Sequence, residues 1–230
     1  MARTTSTKGR CYICKKELGK GAMKTHLLKC NNLGEGKTNY FMIKVEGFYN
    51  KDYWLYIQVK ESATLSDLDS FLRDIWLECC GHLSAFKIGD ALYEDNIDDS
   101  NFGLFRREVK DMSKTKLKDV FSIGRVFKHD YDFGSTTTLK LEVVAQYSGI
   151  ATKDKVTLLA RNNMQEYTCE KCGEKATYIA MGSEWSDYTP LCEKCMEEYD
   201  DEECYVMNIT NSPRMGVCGY SGENDIYQLD

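Results

Sequence analysis

The chain has 230 residues, 42% hydrophobic and 29% charged, with 17 glycines and two prolines; this composition supplies one sizeable core and excludes a long disordered linker. No apolar run reaches the length of a membrane span, and the start "MARTTSTKGRCYIC" lacks the apolar stretch of a signal peptide, so the sequence reads as a soluble, cytoplasmic protein with no membrane partner. The net charge of −6 is unevenly spread, at +7 over residues 1–38, −3 over residues 39–160 and −10 over residues 161–230, giving a basic head and an acidic end.

The first predicted element, within residues 1–36, is a zinc finger of the C2HC type. In "CYICKKELGKGAMKTHLLKC", Cys11 and Cys14 form a knuckle, eleven residues intervene, and His26 and Cys30 follow with three residues between them. Residues four apart on a helix share a face, so His26 and Cys30 can close a tetrahedron that the knuckle begins. The segment holds few core residues and is expected to need its metal to fold. Lys15, Lys16, Lys20, Lys24 and Lys29 suit phosphate contacts. With His26 aligned to the first helical ligand of a classical finger, the base-reading positions fall on Gly19, Gly21, Ala22 and Thr25, none of which makes a bidentate base contact. Residues 1–36 thus point to non-specific nucleic-acid contact, to protein docking or to a solvated lysine face.

Residues 37–163 read as one α+β domain. "YFMIKVEGF" and "YWLYIQVKE" alternate as two strands of a hairpin joined through "YNKD". "TLSDLDSFLRDIWLEC" places Leu65, Leu68, Phe71, Leu72, Ile75 and Trp76 at helical spacing, with Thr64 and Asp67 as a capping pair. "HLSAFKIGDALYE" predicts a strand and turn, "TKLKDVF" a short helix, and residues 124–133, 136–147 and 154–162 three further strands, with the helix packed on one sheet face. "DNIDDS" lacks the spacing of an EF-hand and reads as a solvated loop.

Residues 164–230 read as a four-cysteine zinc ribbon with a glycine-rich tail. Cys169 and Cys172 form one knuckle, Cys192 and Cys195 a second, and the nineteen residues between the pairs suit a hairpin. Gly173 follows the first knuckle, where a positive φ is often needed. Four thiolates leave no open position, so the site is read as structural, and the two modules together call for two zinc ions. Cys79 and Cys80 end an apolar helix and read as small buried hydrophobes. Cys204 and Cys218 remain unassigned, and Cys218 lacks the base a nucleophile would want.

"TLSDLDSFLRDIW", "HLSAF" and "YDFGSTTTL", in that order over roughly residues 39–160, resemble the plasmid pRi ORF-three-like family, the passenger-gene proteins of some plasmids and insertion elements. The resemblance implies a compact α+β domain of β-grasp-like (ubiquitin-like) arrangement and no settled activity. It also implies a polar cluster that this chain lacks: the family pattern follows YDFG with an acidic residue, a tryptophan and a histidine, where this chain has Ser135, Thr137 and Leu139, and it often has a second histidine where this chain has Ser84.

One segment, "FKHDYDFGSTTTLKLEVV", allows two readings. His82, His129, Asp130 and Asp132 could form the acid-base or metal site of a metal-dependent hydrolase if their segments meet. Alternatively Phe127, His129, Tyr131 and Phe133 line an inner strand face, Gly134 turns the chain, and Asp132 accepts backbone N–H bonds at the turn. The second reading is simpler, because strand alternation separates His129 from Asp130 and Asp132. The function expected from the sequence is therefore that of a zinc-binding, non-enzymatic adaptor. Its partner would be a protein, with nucleic acid reached through residues 1–36, and the run "EEYDDEEC" reads as a soluble charged surface.

Overall fold

Period-two alternation in two apolar segments produces the centre of a sheet: β3 (Thr38–Gly47) and β4 (Trp54–Lys60) pair antiparallel, Ile43 opposite Ile57. The computed structural model describes residues 7–30, 36–95, 109–182, 188–199 and 204–227; the "DNIDDS" loop beyond Asp95 and residues 200–203 of the acidic run lie outside them. The chain divides into two units, residues 1–73 with 82–163, and residues 74–81 with 164–230.

In the first unit the remaining strands are β1 (Lys8–Cys11), β2 (Glu17–Gly19), β5 (Ser84–Ile88), β6 (Ala91–Glu94), β7 (Val109–Asp111), β8 (Val126–Tyr131), β9 (Thr137–Gly149) and β10 (Val156–Asn162). They form a ten-stranded sheet in the order β2-β1-β10-β4-β3-β9-β8-β5-β6-β7. Every neighbouring pair is antiparallel except β6 with β7. Its helices are α1 (Lys20–Cys30), α2 (Leu65–Leu72) and α3 (Leu117–Val120). The fold class is α+β as expected, with few helices against one large, mostly antiparallel sheet.

The sheet is apolar on both faces of its central strands, and each face takes a helix. Leu55, Val45, Leu141 and Phe127 are successive cross-strand partners on one face, as are Leu139, His129 and Phe86. Helix α2 covers this face, because its Asp69 bonds His129 at 2.6 Å. Thr64 and Asp67 form the capping box that starts α2, each side chain accepting the other's backbone N–H. The expected single long helix instead ends at Leu72 and passes into a π-helical turn, Arg73–Leu77.

On the opposite face Met42, Trp54, Tyr56 and Ala160 pack against Met23 and Leu27 of α1. The segment expected as a finger is thus no separate bead: β1 is a strand of the sheet, pairing Cys11 with Ala160 of β10, and α1 shares the sheet's core. Two register shifts make this possible. Between Val143 and Ala145, and between Leu158 and Ala160, one strand carries an extra residue, Val144 and Leu159 respectively. A one-residue insertion turns all later side chains to the other face. Ala145, Tyr147 and Ala160 therefore join the α1 core, whereas Leu141 and Val143 lie on the α2 face.

The second unit contains β11 (Tyr178–Met181), β12 (Tyr188–Leu191), β13 (Tyr205–Asn208) and α4 (Glu193–Glu197), with strand order β12-β11-β13. Its core gathers Ile179, Met181, Leu191 and Ile209 around Cys169 and Cys195. Residues 74–81, expected as the end of the first unit's helix, belong to this unit: Ser212 Oγ donates to the Trp76 carbonyl at 2.6 Å. Among the described residues no helix is long and apolar enough to cross a membrane.

Candidate metal centres

Cys11 ends β1, and the chain turns back at once: Lys15 N–H donates to the Cys11 carbonyl at 2.8 Å, and Cys11 N–H to the Lys16 carbonyl at 2.9 Å. The turn carries Lys15 at φ 64°, a left-handed conformation that non-glycine residues rarely adopt. Helix α1 presents His26 and Cys30 one turn apart, and Cys14 Sγ lies 3.2 Å from His26 Nε2. The donor atoms of Cys11, Cys14, His26 and Cys30 all fall within 4.8 Å of one another. Tetrahedral thiolates on zinc sit about 3.8 Å apart, from the usual bond length of about 2.3 Å. The four can hold a metal ion.

Cys14 and Cys30 shift in opposite directions. A hydrogen bond from the Lys16 backbone holds Cys14 below its ordinary value despite burial. Burial and then the neighbouring thiols push Cys30 up to about 12. Like charges crowded together cannot all ionise unaided, and a bound cation inverts that preference.

The second predicted donor set repeats this chemistry with sulfur alone. Gly173 stands at φ 81° after the first knuckle, its N–H donating to the Cys169 carbonyl at 2.9 Å, as the expected turn requires. Cys192 caps α4 and Cys195 lies within it. Cys172 and Cys192 Sγ are 3.5 Å apart, and all four sulfurs of Cys169, Cys172, Cys192 and Cys195 lie within 4.8 Å. Burial pushes the Cys169 thiol up, but backbone N–H groups of Cys192, Cys172 and Lys171 outweigh it and bring it down to about 6. Cys195 is pushed up to about 12, first by the Cys172 thiol and then by burial. Cys204 packs against this core.

The His/Asp segment divides into separate pairs. His129 is fully buried with Nε2 on Asp69 Oδ1 at 2.6 Å, and its Nδ1 has no partner among the described residues. Burial pushes the Asp69 carboxyl up, but the hydrogen bond and charge of His129, with Ser84 and Arg73, hold it below the ordinary carboxylate range. Arg73 Nε donates to Asp69 at 2.9 Å, and its guanidinium lies 4.9 Å from the centre of the Tyr131 ring. His82 Nε2 lies 3.6 Å from Asp132 Oδ2. Asp130 accepts from Thr138 Oγ1 at 2.6 Å, and Asp132, at φ 63°, accepts from the Gly134 and Ser135 N–H groups. The strand-corner reading holds for Phe127, His129, Tyr131 and Asp132. It fails at Phe133, which is 52% exposed, because β8 ends at Tyr131 and the left-handed Asp132 breaks the alternation. Among the described residues no group of three metal-donor side chains includes His129, Asp130 or Asp132.

Sequence reasoning missed Asp69 of α2 and Arg73 of the π-helical turn, because their partner His129 comes from a distant strand. It also misplaced Cys79 and Cys80: the first is half-buried and the second exposed, and both are close in space to Cys218.

Comparison with known proteins adds a family. The model of the plasmid pRiA4b ORF-3-like protein family matches residues 39–209. No curated protein matches the chain. Among solved structures, the crystal structure of the protein of unknown function MM3350 from Methanosarcina mazei Go1 aligns at 18% identity and a TM-score of 0.47, over 60% of this chain and 76% of its own.

Proposed function

Starting from a chain that belongs to the plasmid pRiA4b ORF-3-like protein family, we propose a zinc-stabilised interaction protein that binds a partner rather than turning over a substrate. The observation that carries this is the closure of both donor sets. Cys11, Cys14, His26 and Cys30, and likewise Cys169, Cys172, Cys192 and Cys195, supply four protein ligands each, so a tetrahedral zinc has no position left for water. Part of each set is also built into a core, which suits a structural ion: Cys11 packs with Trp54 and Leu27, and Cys169 and Cys195 with Ile179 and Leu191. The β-grasp-like reading of residues 37–163 is supported by the strand, strand, helix order of β3, β4 and α2.

Zinc in these sites would hold β1 to α1 and one ribbon knuckle to the other. The partner is a protein or, through α1 and its knuckle, a nucleic-acid backbone. Lys15, Lys16 and Lys29 are exposed and available to phosphates, whereas Lys20 is engaged by Glu46 at 2.6 Å and the Lys51 carbonyl at 2.9 Å. Gly21, Ala22 and Thr25 are exposed on α1 and offer no base-reading side chain, which favours contact without sequence preference.

Elemental analysis of the purified chain tests the metal, with Cys14→Ser and Cys172→Ser each expected to remove one zinc. Unchanged zinc in either variant refutes that site. Binding of an arbitrary DNA duplex across a salt series tests the partner. If the finger neutralises phosphates, replacing Lys15, Lys16 and Lys29 by glutamine flattens the log-log salt slope, by about 0.9 for each phosphate no longer neutralised. A slope that does not move removes nucleic acid and leaves the protein partner.

A further inference from the structure

We propose that Cys79, Cys80 and Cys218 of the second unit form a third metal site, for a thiophilic divalent cation such as zinc, which fastens the glycine-rich tail to the segment that follows the π-helical turn. The Sγ atoms of Cys79 and Cys80 are 3.6 Å apart and those of Cys80 and Cys218 are 3.7 Å apart, close to the edge of a zinc–thiolate tetrahedron and far longer than a disulfide. All three sulfurs lie within 4.8 Å of one another, the same closeness as in the finger and ribbon sets. None of the eleven cysteines is in a disulfide.

Three further features converge on these thiols. Cys218 has φ 52°, one of three positive-φ non-glycine residues described. The other two have local reasons: Lys15 lies in the finger's knuckle, and Asp132 closes a turn with its own carboxylate. Successive turns hold Cys218 in place, with Val217 N–H donating to the Arg214 carbonyl and Tyr220 N–H to the Val217 carbonyl, each at 3.0 Å. Arg214, fully buried, donates to Cys79 Sγ at 3.4 Å. Three thiolates on a divalent cation carry one net negative charge, which that guanidinium offsets. Ser212 preorganises both sides, its hydroxyl donating to the Trp76 carbonyl at 2.6 Å and accepting from the Arg214 N–H at 2.9 Å.

Native mass spectrometry of the full chain, purified reduced with zinc present, counts the ions directly. Three per chain are expected, falling to two in Cys80→Ser and in Cys218→Ser. Two in the unsubstituted chain while Cys14→Ser and Cys172→Ser each still remove one, or three retained in both variants, overturns the proposal. A variant that fails to fold would shed more than one ion, so the unsubstituted chain is also loaded with cobalt(II) and its thiolate-to-cobalt absorption measured. Ten coordinated thiolates are expected against seven without this site, and the lower intensity, with Cys14→Ser and Cys172→Ser each still removing one zinc, overturns it. Failure of the finger or ribbon reading registers separately, as zinc unaffected by Cys14→Ser or Cys172→Ser.

Discussion

Replacing Leu27 by alanine tests whether the finger is part of the sheet's core. Leu27 is fully buried on α1 among Met42, Trp54, Tyr56, Val144 and Leu159, on the face opposite α2. Truncation leaves a cavity that this cluster cannot easily close, since its strand members are anchored by pairing with their neighbours. Leucine-to-alanine changes at such sites cost about 2–5 kcal/mol. Because β3 and β4 share that core, the cost should reach their most protected amides, speeding exchange by about 30-fold to several thousand-fold. Hydrogen exchange read by mass spectrometry over residues 38–60 is the assay, with zinc present so that the finger's metal is unchanged. Faster exchange confined to residues 8–30, with β3 and β4 protected as before, would refute the shared core and restore an independent finger.

Asp69→Asn should lower stability at neutral pH by about 3–5 kcal/mol, the usual cost of breaking a buried pair. The folded Asp69 carboxyl lies below its ordinary value, so its contribution is complete above about pH 4 and is lost as pH falls through the folded value. Urea midpoints of the variant should therefore fall less steeply with acid than those of the parent, and parallel acid limbs would count against the Asp69–His129 pair. Gly9→Ala should strip β1 from β10, since a Cβ there runs into the Arg161 carbonyl and the Trp54 indole; overpacking of this kind costs about 1–3 kcal/mol. Gly19→Ala, with nothing within 4 Å of its Cβ, is the control, and equal melting temperatures for the two would contradict the close approach.

Much of the first unit was legible in local pattern. The alternation of β3 and β4, the Thr64–Asp67 box and the strands ending near Gly149 and Asn162 depend on neighbours in sequence, and each formed where expected. Both predicted donor sets were legible for the same reason, since their spacing is local, and each gathers as expected. What escaped depends on distant partners. Nothing in "KGRC" says that β1 pairs with a strand some 150 residues away, and the glycine that permits it, Gly9, looks like any other. The bulges at Val144 and Leu159 are invisible because an extra apolar residue in an apolar strand changes no pattern. Cys218 read as unassigned because its neighbours, Cys79 and Cys80, come from a segment that the sequence assigns to another element.

That segment has a consequence for anyone dividing the molecule. Residues 74–81 belong to the second unit yet are bounded on both sides by residues of the first, so the polypeptide passes between units three times, at 73/74, 81/82 and 163/164. No single cut yields either unit whole. A fragment ending at Asn163 would carry Trp76 without the Ser212 that binds its carbonyl, and a fragment beginning at Met164 would lack eight residues of its own unit. Conversely, a protease that nicks only the 163/164 junction should release nothing: the two pieces would travel together through a size-exclusion column until denatured, complementing one another like the halves of a split reporter.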